Sequence, residues 1–308
     1  MADYPYQGVL VVDKPLGLTS HQVVAVLRRL LGMRRIGHCG TLDPLASGVL
    51  VHCLGRFTRL CQWLSAGDKE YQTTFCLAAT SDTGDAQGVV TPHPVAYEPV
   101  LEAVLAEAEG LVGEIEQVPP AYSAVKVDGV RSYRLARRHQ AVPLAPRRIR
   151  IAQLEVLDYA FPFLRLRVVC SAGTYIRSLA ADLGERLGCG AYVYALRRCR
   201  AGHLDLTLAW SLDQLEEAVQ DRRMEQCLVP PLEALAGFPR VALKPEAVRS
   251  FMHGALAGLV SPRPDQGDQV YAVCDQQGRF YGMGRCSEEG DQIQPLTVLA
   301  SEEFCHGG

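Results

Sequence analysis

The sequence predicts an α+β protein in two unequal parts, and three observations carry that reading. Short apolar runs of strand length alternate with amphipathic helical stretches through residues 1–237. A Phe238-Pro239 linker follows. Beyond it, short strands separated by turns at Gln277-Gly278 and Glu289-Gly290 make a smaller β-rich module. The expected domains are therefore 1–237 and 238–308, and 308 residues suffice for one large core and one small one.

Gly8 to Asp13, with Val9, Leu10, Val11 and Val12, reads as a buried strand before a turn at Lys14-Pro15-Leu16-Gly17. Thr19 or Ser20 caps a helix whose apolar face holds Val23, Val24, Leu27, Leu30 and Leu31. Arg28, Arg29, Arg34 and Arg35 follow at its C-terminal end, either as phosphate contacts or as solvated charges that suit the dipole. Next comes Gly37-His38-Cys39-Gly40-Thr41-Leu42-Asp43-Pro44-Leu45-Ala46-Ser47-Gly48-Val49-Leu50. Its glycines and Pro44 suit a loop that holds Asp43 out toward a large ligand. Asp43-Pro44 also reads as the N-cap and first residue of a helix. Thr58 to Leu64 reads as a short helix, and Lys69-Glu70 opens a strand over Tyr71 to Ala79. Tyr71 is a packing residue unless it faces Asp43. Thr80 to Gly88 is a polar loop. Its Asp82 and Asp85 lack EF-hand spacing and are expected to be solvated or to pair with arginines.

Glu98 to Leu111 is predicted to be an amphipathic helix with Val100, Leu101, Val104 and Leu105 on its apolar side, followed by a strand over Val112 to Val118. Pro119-Pro120 ends that strand. A basic insertion then occupies about 119–148, with Lys126, Arg131, Arg134, Arg137, Arg138, Arg147 and Arg148 interleaved with Tyr122 and Tyr133. Aromatic and cationic side chains together suit exposed bases and phosphates. Strands over Ile149 to Tyr159 and Phe163 to Cys170 follow, and Ser171 to Ser178 leads into a helix bearing Leu179, Leu183 and Leu187. A cation in the first turn of a helix opposes the dipole, so Arg177 is expected to meet a carboxylate or a phosphate. Gly202 to Trp210 is read as the last strand of the large part, and Leu212 to Leu235 as helical with loops. In the small module a helix is expected over Glu246 to Met252, with strands at Gln269 to Cys274, Phe280 to Arg285 and Gln294 to Leu299.

The formal charge is only −3, but its distribution is uneven. Lys126 to Arg200 holds fifteen Lys/Arg and five Asp/Glu, about +10, which leaves about −13 elsewhere. A basic band on an acidic body is the footprint of a polyanion ligand, although any one of these arginines also reads as a solvated or paired surface charge. No apolar run reaches the roughly 18–20 residues of a membrane span. Met1-Ala2-Asp3-Tyr4-Pro5 does not read as a secretory signal. Eleven cysteines are scattered without CxxC pairs, which argues against a zinc framework and for reduced thiols in the cytoplasm.

The stretch from Gly37 to Leu50 closely resembles the catalytic motif of the TruB family of pseudouridine synthases, in which threonine or glycine usually stands at the Cys39 position. The resemblance extends through Val12-Asp13-Lys14-Pro15, Asp68-Lys69-Glu70-Tyr71, Thr83-Gly84-Asp85-Ala86-Gln87-Gly88, Gln117 to Lys126, Gly173-Thr174-Tyr175-Ile176-Arg177-Ser178 and Leu196-Arg197-Arg198. It covers nearly the whole chain, and the tail resembles the PUA-like RNA-binding module of bacterial members. Departures are Ala172, where lysine is common, and Arg138-His139-Gln140 in place of a glycine-containing run.

The resemblance implies a mixed, largely antiparallel sheet with flanking helices, and conversion of the T-loop uridine of tRNA, conventionally numbered 55, to pseudouridine. It implies Asp43 as nucleophile, with Arg177 holding its charge. Tyr71 would stack on the flipped base and serve the later proton transfer, and His38 would fill the vacated stack. Tyr175 and Leu196 would wall the pocket, and Lys14, Lys126 and Arg137 are expected to contact RNA. The T arm of tRNA is the expected partner, and a cytoplasmic monomer the expected state. No metal, cofactor, guide RNA or membrane is expected. Two rivals share the fold: a guide-RNA-dependent rRNA enzyme, and a non-catalytic RNA-binding protein. The short tail and basic insertion favour the stand-alone enzyme, and an intact Asp43 disfavours pure binding.

Overall fold

The computed structural model describes residues 5–94, 97–123, 126–127, 130–132, 144–262 and 268–299. The first strands are β1 (Gly8–Lys14), β2 (Ile36–His38), β3 (Ala46–Leu54) and β4 (Lys69–Leu77). Two ribbons, β5 (Ala79–Ser81) with β6 (Val90–Pro92) and β8 (Lys126–Val127) with β9 (Val130–Arg131), lie either side of β7 (Gly113–Gln117) in sequence. The chain continues with β10 (Arg147–Ala160), β11 (Phe163–Cys170), β12 (Ala191–Ala201), β13 (Leu204–Asp205) and β14 (Leu228–Val229). The last strands are β15 (Arg240–Ala242), β16 (Ala257–Gly258), β17 (Val270–Cys274), β18 (Phe280–Cys286) and β19 (Gln292–Val298).

One large sheet runs β14-β1-β3-β12-β4-β11-β10-β7, with β2 beside β3 and β13 beside β12. Its pairings are antiparallel except for β3 with β12, which run parallel. This is the mixed, largely antiparallel sheet expected. The continuous apolar runs of β1 and β3 follow from burial on both faces. Leu10, Val12, Leu50 and Leu54 face one core, with Val23, Val24 and Leu27 of helix α1 (Ser20–Leu30). Val9, Val11, Val49 and Val51 face a second core, with Leu64 of α2 (Cys61–Ala66) and Ala272, Met283 and Leu299. The second sheet, β15-β17-β18-β19-β16, thus packs on the far face of the first. Trp63 Nε1 donates to Thr297 Oγ1 at 3.2 Å across that contact. Leu27 is fully buried, so Leu27→Ala should cost about 2–5 kcal/mol.

Three expectations differ from what is seen. Asp43-Pro44 opens no helix, because the chain turns into β3 at Ala46 and the sheet claims its backbone groups on both sides. Helix α3 spans only Leu101–Glu109 and buries Val104 and Ala108, leaving Val100, Leu101 and Leu105 exposed. Its inward stripe is set by packing on β10 and α4 (Ile176–Arg186), not by its most apolar residues. Within Gly202 to Trp210 only Leu204–Asp205 is strand. Asp205 then caps a 3-10 turn, accepting from Thr207 N at 2.8 Å. β14, β15 and β16, of two or three residues each, were too short to show a period in sequence.

Candidate active site

The parallel pairing of β3 with β12 fixes where Asp43 lies. Leu196 stands opposite Ala46, and Arg198 opposite Gly48. Gly48 has φ +99°, and a Cβ there would come within 2.2 Å of the Arg198 carbonyl oxygen, so only glycine allows this approach. Asp43 sits just before β3, in a loop held at several points. Gly17 N donates to Pro44 O at 2.8 Å. Ser20 Oγ, left free because Thr19 and Gln22 form the capping box of α1, donates to Leu42 O at 3.1 Å and accepts from Leu42 N at 2.9 Å. Arg198, 1% exposed, donates from Nε to Val49 O at 2.7 Å and from Nη2 to Gly40 O at 3.3 Å.

Arg177 finds the carboxylate its helix position called for. Its Nε lies 3.0 Å from Asp43 Oδ2 and 3.9 Å from Asp85 Oδ2. Nη1 donates to Thr83 O at 2.9 Å and Nη2 to Tyr122 O at 2.8 Å. The polar loop read as arginine partners therefore has that role. Asp85 is itself anchored, accepting from Thr83 Oγ1 at 2.7 Å and Gln87 N at 3.0 Å. A guanidinium held by two carbonyls and two carboxylates cannot swing away from Asp43 without leaving several acceptors unpaired. Burial pushes the Asp43 carboxyl above its ordinary value of 3.8; Arg177 opposes that shift, Asp85 adds to it and Lys14 opposes it.

Tyr71, on β4, is buried, near enough to Asp43 for the two groups to interact electrostatically. Burial raises its phenol, the charge of Arg198 opposes that, and Asp43 adds to it. Tyr71 pairs with Val168 on one side and Arg198 on the other. Leu196 is buried on β12 beside the start of β3. Tyr175 is half-buried at the N-cap of α4. Gln117 clamps its backbone from both sides, accepting from Tyr175 N at 2.8 Å and donating to Tyr175 O at 3.1 Å. His38, on β2, is half-buried and meets His21 edge-on with ring centroids 5.2 Å apart. Burial, then the neighbouring His21, lowers its pKa and favours a neutral ring at neutral pH.

Lys14, Lys126 and Arg137 complete the predicted set. Lys14 is fully buried, with Nζ donating to Pro15 O at 2.9 Å and Leu18 O at 2.6 Å. It was expected to meet RNA; instead it braces the turn that supports the Asp43 loop. Burial lowers its pKa to about 8, against the pull of Asp43 and with a smaller push from Arg198. Lys126 lies on β8, and Arg137 falls outside the described residues. Much of the basic band is paired internally: Arg150 with Asp68, Arg167 and Arg200 with Glu70, Arg186 with Glu107, and Arg197 with Asp13. Arg147, Arg148 and Arg165 are exposed, with no acidic partner among the described residues. Gln117 and Arg198 stand in the motifs quoted above, but their clamping roles carry no local signal, because both act on backbone distant in sequence. Cys39, Cys53 and Cys61, scattered in sequence, bring their sulfurs within 4.8 Å of one another.

Comparisons with known proteins identify the family. Residues 28–176 match the model of the TruB family pseudouridylate synthase N-terminal domain. Residues 177–236 match the tRNA pseudouridylate synthase B C-terminal domain, and 239–299 match the pseudouridine synthase II TruB C-terminal model. The chain is similar to the tRNA pseudouridine synthase B of Ralstonia nicotianae, 46% identical over 95% of this chain and 94% of that one. It is also similar to that of Pseudomonas putida, 40% identical over 96% of both. Among solved structures, a chain of a Cbf5-Nop10-Gar1 complex superposes with a TM-score of 0.76 at 26% identity, over 96% of this chain and 86% of the other.

Proposed function

The chain belongs to the TruB family of pseudouridylate synthases, and we propose that it converts the T-loop uridine of tRNA to pseudouridine with Asp43 as nucleophile. The enzyme is an isomerase acting on tRNA. The observation that carries the site assignment is the 3.0 Å pair between Asp43 and a buried, fully engaged Arg177.

The reaction must break the N-glycosidic bond, turn the base, and join its C5 to the sugar, with a proton leaving C5 at the end. An ionised Asp43 supplies the electron pair for a covalent adduct. Burial alone would hold that carboxyl protonated, and Arg177 counters this at the attacking group. A uridine within a folded loop cannot reach a carboxylate at the end of a central strand, so the base flips out. Tyr71 stacks on it and its phenol takes part in the proton transfer. Tyr175 and Leu196 line the pocket, and a neutral His38 fills the gap in the RNA stack.

We assign the division at residue 237 to a catalytic part and a tail that adds RNA-binding surface. Arg147, Arg148 and Arg165, exposed and without an acidic partner among the described residues, are free to meet phosphates. The similarity to a Cbf5 chain raises a guide-RNA-dependent alternative. Identities of 40–46% to proteins named tRNA pseudouridine synthase B, over 94% or more of each chain, favour the stand-alone reading. Purified chain with one unmodified tRNA transcript and no other RNA tests it. Pseudouridine at the T-loop position is expected, and its absence, with product appearing only when a guide is added, would reverse the assignment.

A further inference from the structure

Three sulfur atoms meet beside the Asp43 loop, and the isomerisation uses none of them. Antiparallel pairing sets Gly37 opposite Cys53, and Cys39 N donates to Val51 O at 2.8 Å. Cys39 and Cys53 are therefore diagonal neighbours on one face, with Sγ atoms 3.5 Å apart. Cys61, the first residue of α2, reaches the same face because Gly37 has no side chain. A Cβ at Gly37 would lie 3.3 Å from Cys61 Sγ. Cys39 and Cys53 are fully buried, and Cys61 is half-buried.

We propose that Cys39, Cys53 and Cys61 form a binding site for one thiophilic divalent cation of the Zn2+ class. Zinc–sulfur bonds of about 2.3 Å put thiolates in a trigonal or tetrahedral set about 3.8–4.0 Å apart. The 3.5 Å pair and the 4.8 Å bound on all three bracket that separation, so closure needs shifts of no more than about 1 Å. Binding displaces three thiol protons, and a divalent ion with three thiolates carries one net negative charge. Lys69, buried and in electrostatic contact with Cys39, supplies one positive charge beside it. A monovalent ion would leave a second, unbalanced negative charge in an apolar setting, which is costly. Strand alternation turns His38 to the other face of β2, so the fourth position falls to water on the half-exposed side, at Cys61. The bound ion ties β2, β3 and α2 together next to the Asp43 loop.

The test uses the full chain, reduced and stripped with chelator under argon. Titration with Co2+ should give one equivalent of sulfur-to-cobalt charge-transfer absorption, bleached by Zn2+. Competition against a chromophoric chelator should show Cys61→Ser weakening Zn2+ binding by at least about 10–100-fold, the range seen even for groups behind the ligands. Cys199→Ser, a thiol outside the cluster, should leave it unchanged. Cys61 is half-exposed, so its serine variant is expected to fold, and circular dichroism of the metal-free protein checks this. No charge-transfer band overturns the proposal. So does an undiminished band in a folded Cys61→Ser, or air oxidation that consumes two of these thiols in a chain that takes up no metal.

Discussion

Asp43 and Arg177 form an ion pair in which the cation is the better buried partner: the guanidinium side chain is 6% exposed, the carboxylate 36%. The arginine is thus part of the protein's interior, and the carboxylate is the end presented to a ligand. Removing either partner has unequal effects. Loss of Asp43 leaves Arg177 with Asp85, Thr83 O and Tyr122 O, whereas loss of Arg177 leaves two carboxylates near each other without their shared cation.

Asp43→Asn should therefore fold and bind tRNA nearly as the native chain does, yet lose isomerisation by about 10⁴-fold or more, as expected when a nucleophile is removed. Single-turnover pseudouridine formation on a tRNA transcript measures it. A rate near that of the native chain would refute the assignment.

The pH dependence has a definite sign. Burial raises the Asp43 pKa above 3.8, so the rate should fall on the acid side with a midpoint above that value. Arg177→Met removes the opposing charge and should move the midpoint upward. Stability responds in the same window. Between 3.8 and the raised value the native state holds more protons than the unfolded chain, so this group's contribution falls as pH rises through it. Urea midpoints of Asp43→Asn should lack that decline; an identical slope in both proteins would show that Asp43 titrates normally.

Tyr71→Phe and Tyr71→Leu separate stacking from proton transfer. The phenylalanine ring retains base stacking, typically about 1–3 kcal/mol, so affinity should persist while turnover stalls before the final proton transfer. Leucine should lose affinity as well. Normal turnover by phenylalanine would make the hydroxyl dispensable, and an active leucine variant would remove Tyr71 from the pocket.

Affinity for tRNA should fall steeply with salt. A binder making about 6–10 phosphate contacts weakens about 10³–10⁵-fold between 50 and 200 mM salt. Because so many arginines of the band are paired internally, the slope should depend on the exposed ones. Arg147→Gln with Arg148→Gln should reduce it by about two counterions. A flat dependence in the native chain would exclude the basic band as the RNA surface.

How far the sequence was legible varied with the range of the interaction. The dipole argument at Arg177 anticipated a carboxylate or a phosphate, and Asp82 and Asp85 were read as solvated or as arginine partners, of which Asp85 is one; both rest on local chemistry. Lys14 showed no sign in the sequence of its burial, because its ammonium is spent on two backbone carbonyls four residues or fewer away that only the folded turn brings to it. The basic band looked uniform because sequence shows the arginines and hides their partners, such as Asp13 for Arg197. The cysteine cluster was invisible to spacing, since it depends on strand register and on a missing side chain at Gly37.

The wedge of Gly48 against Arg198 has a consequence for the substrate. Because the Asp43 loop continues into a strand in the middle of the sheet, its backbone amides from Ser47 to Leu50 cannot open without separating β3 from β12 or from β1. Their hydrogen exchange should require near-global unfolding rather than local fraying. A site this stiff acts as a die, and the RNA is the material that must deform. Substrates would then be ranked by how readily their loop yields a base. A transcript whose T loop is loosened by a disrupted tertiary contact should react faster than one held shut, provided both bind equally.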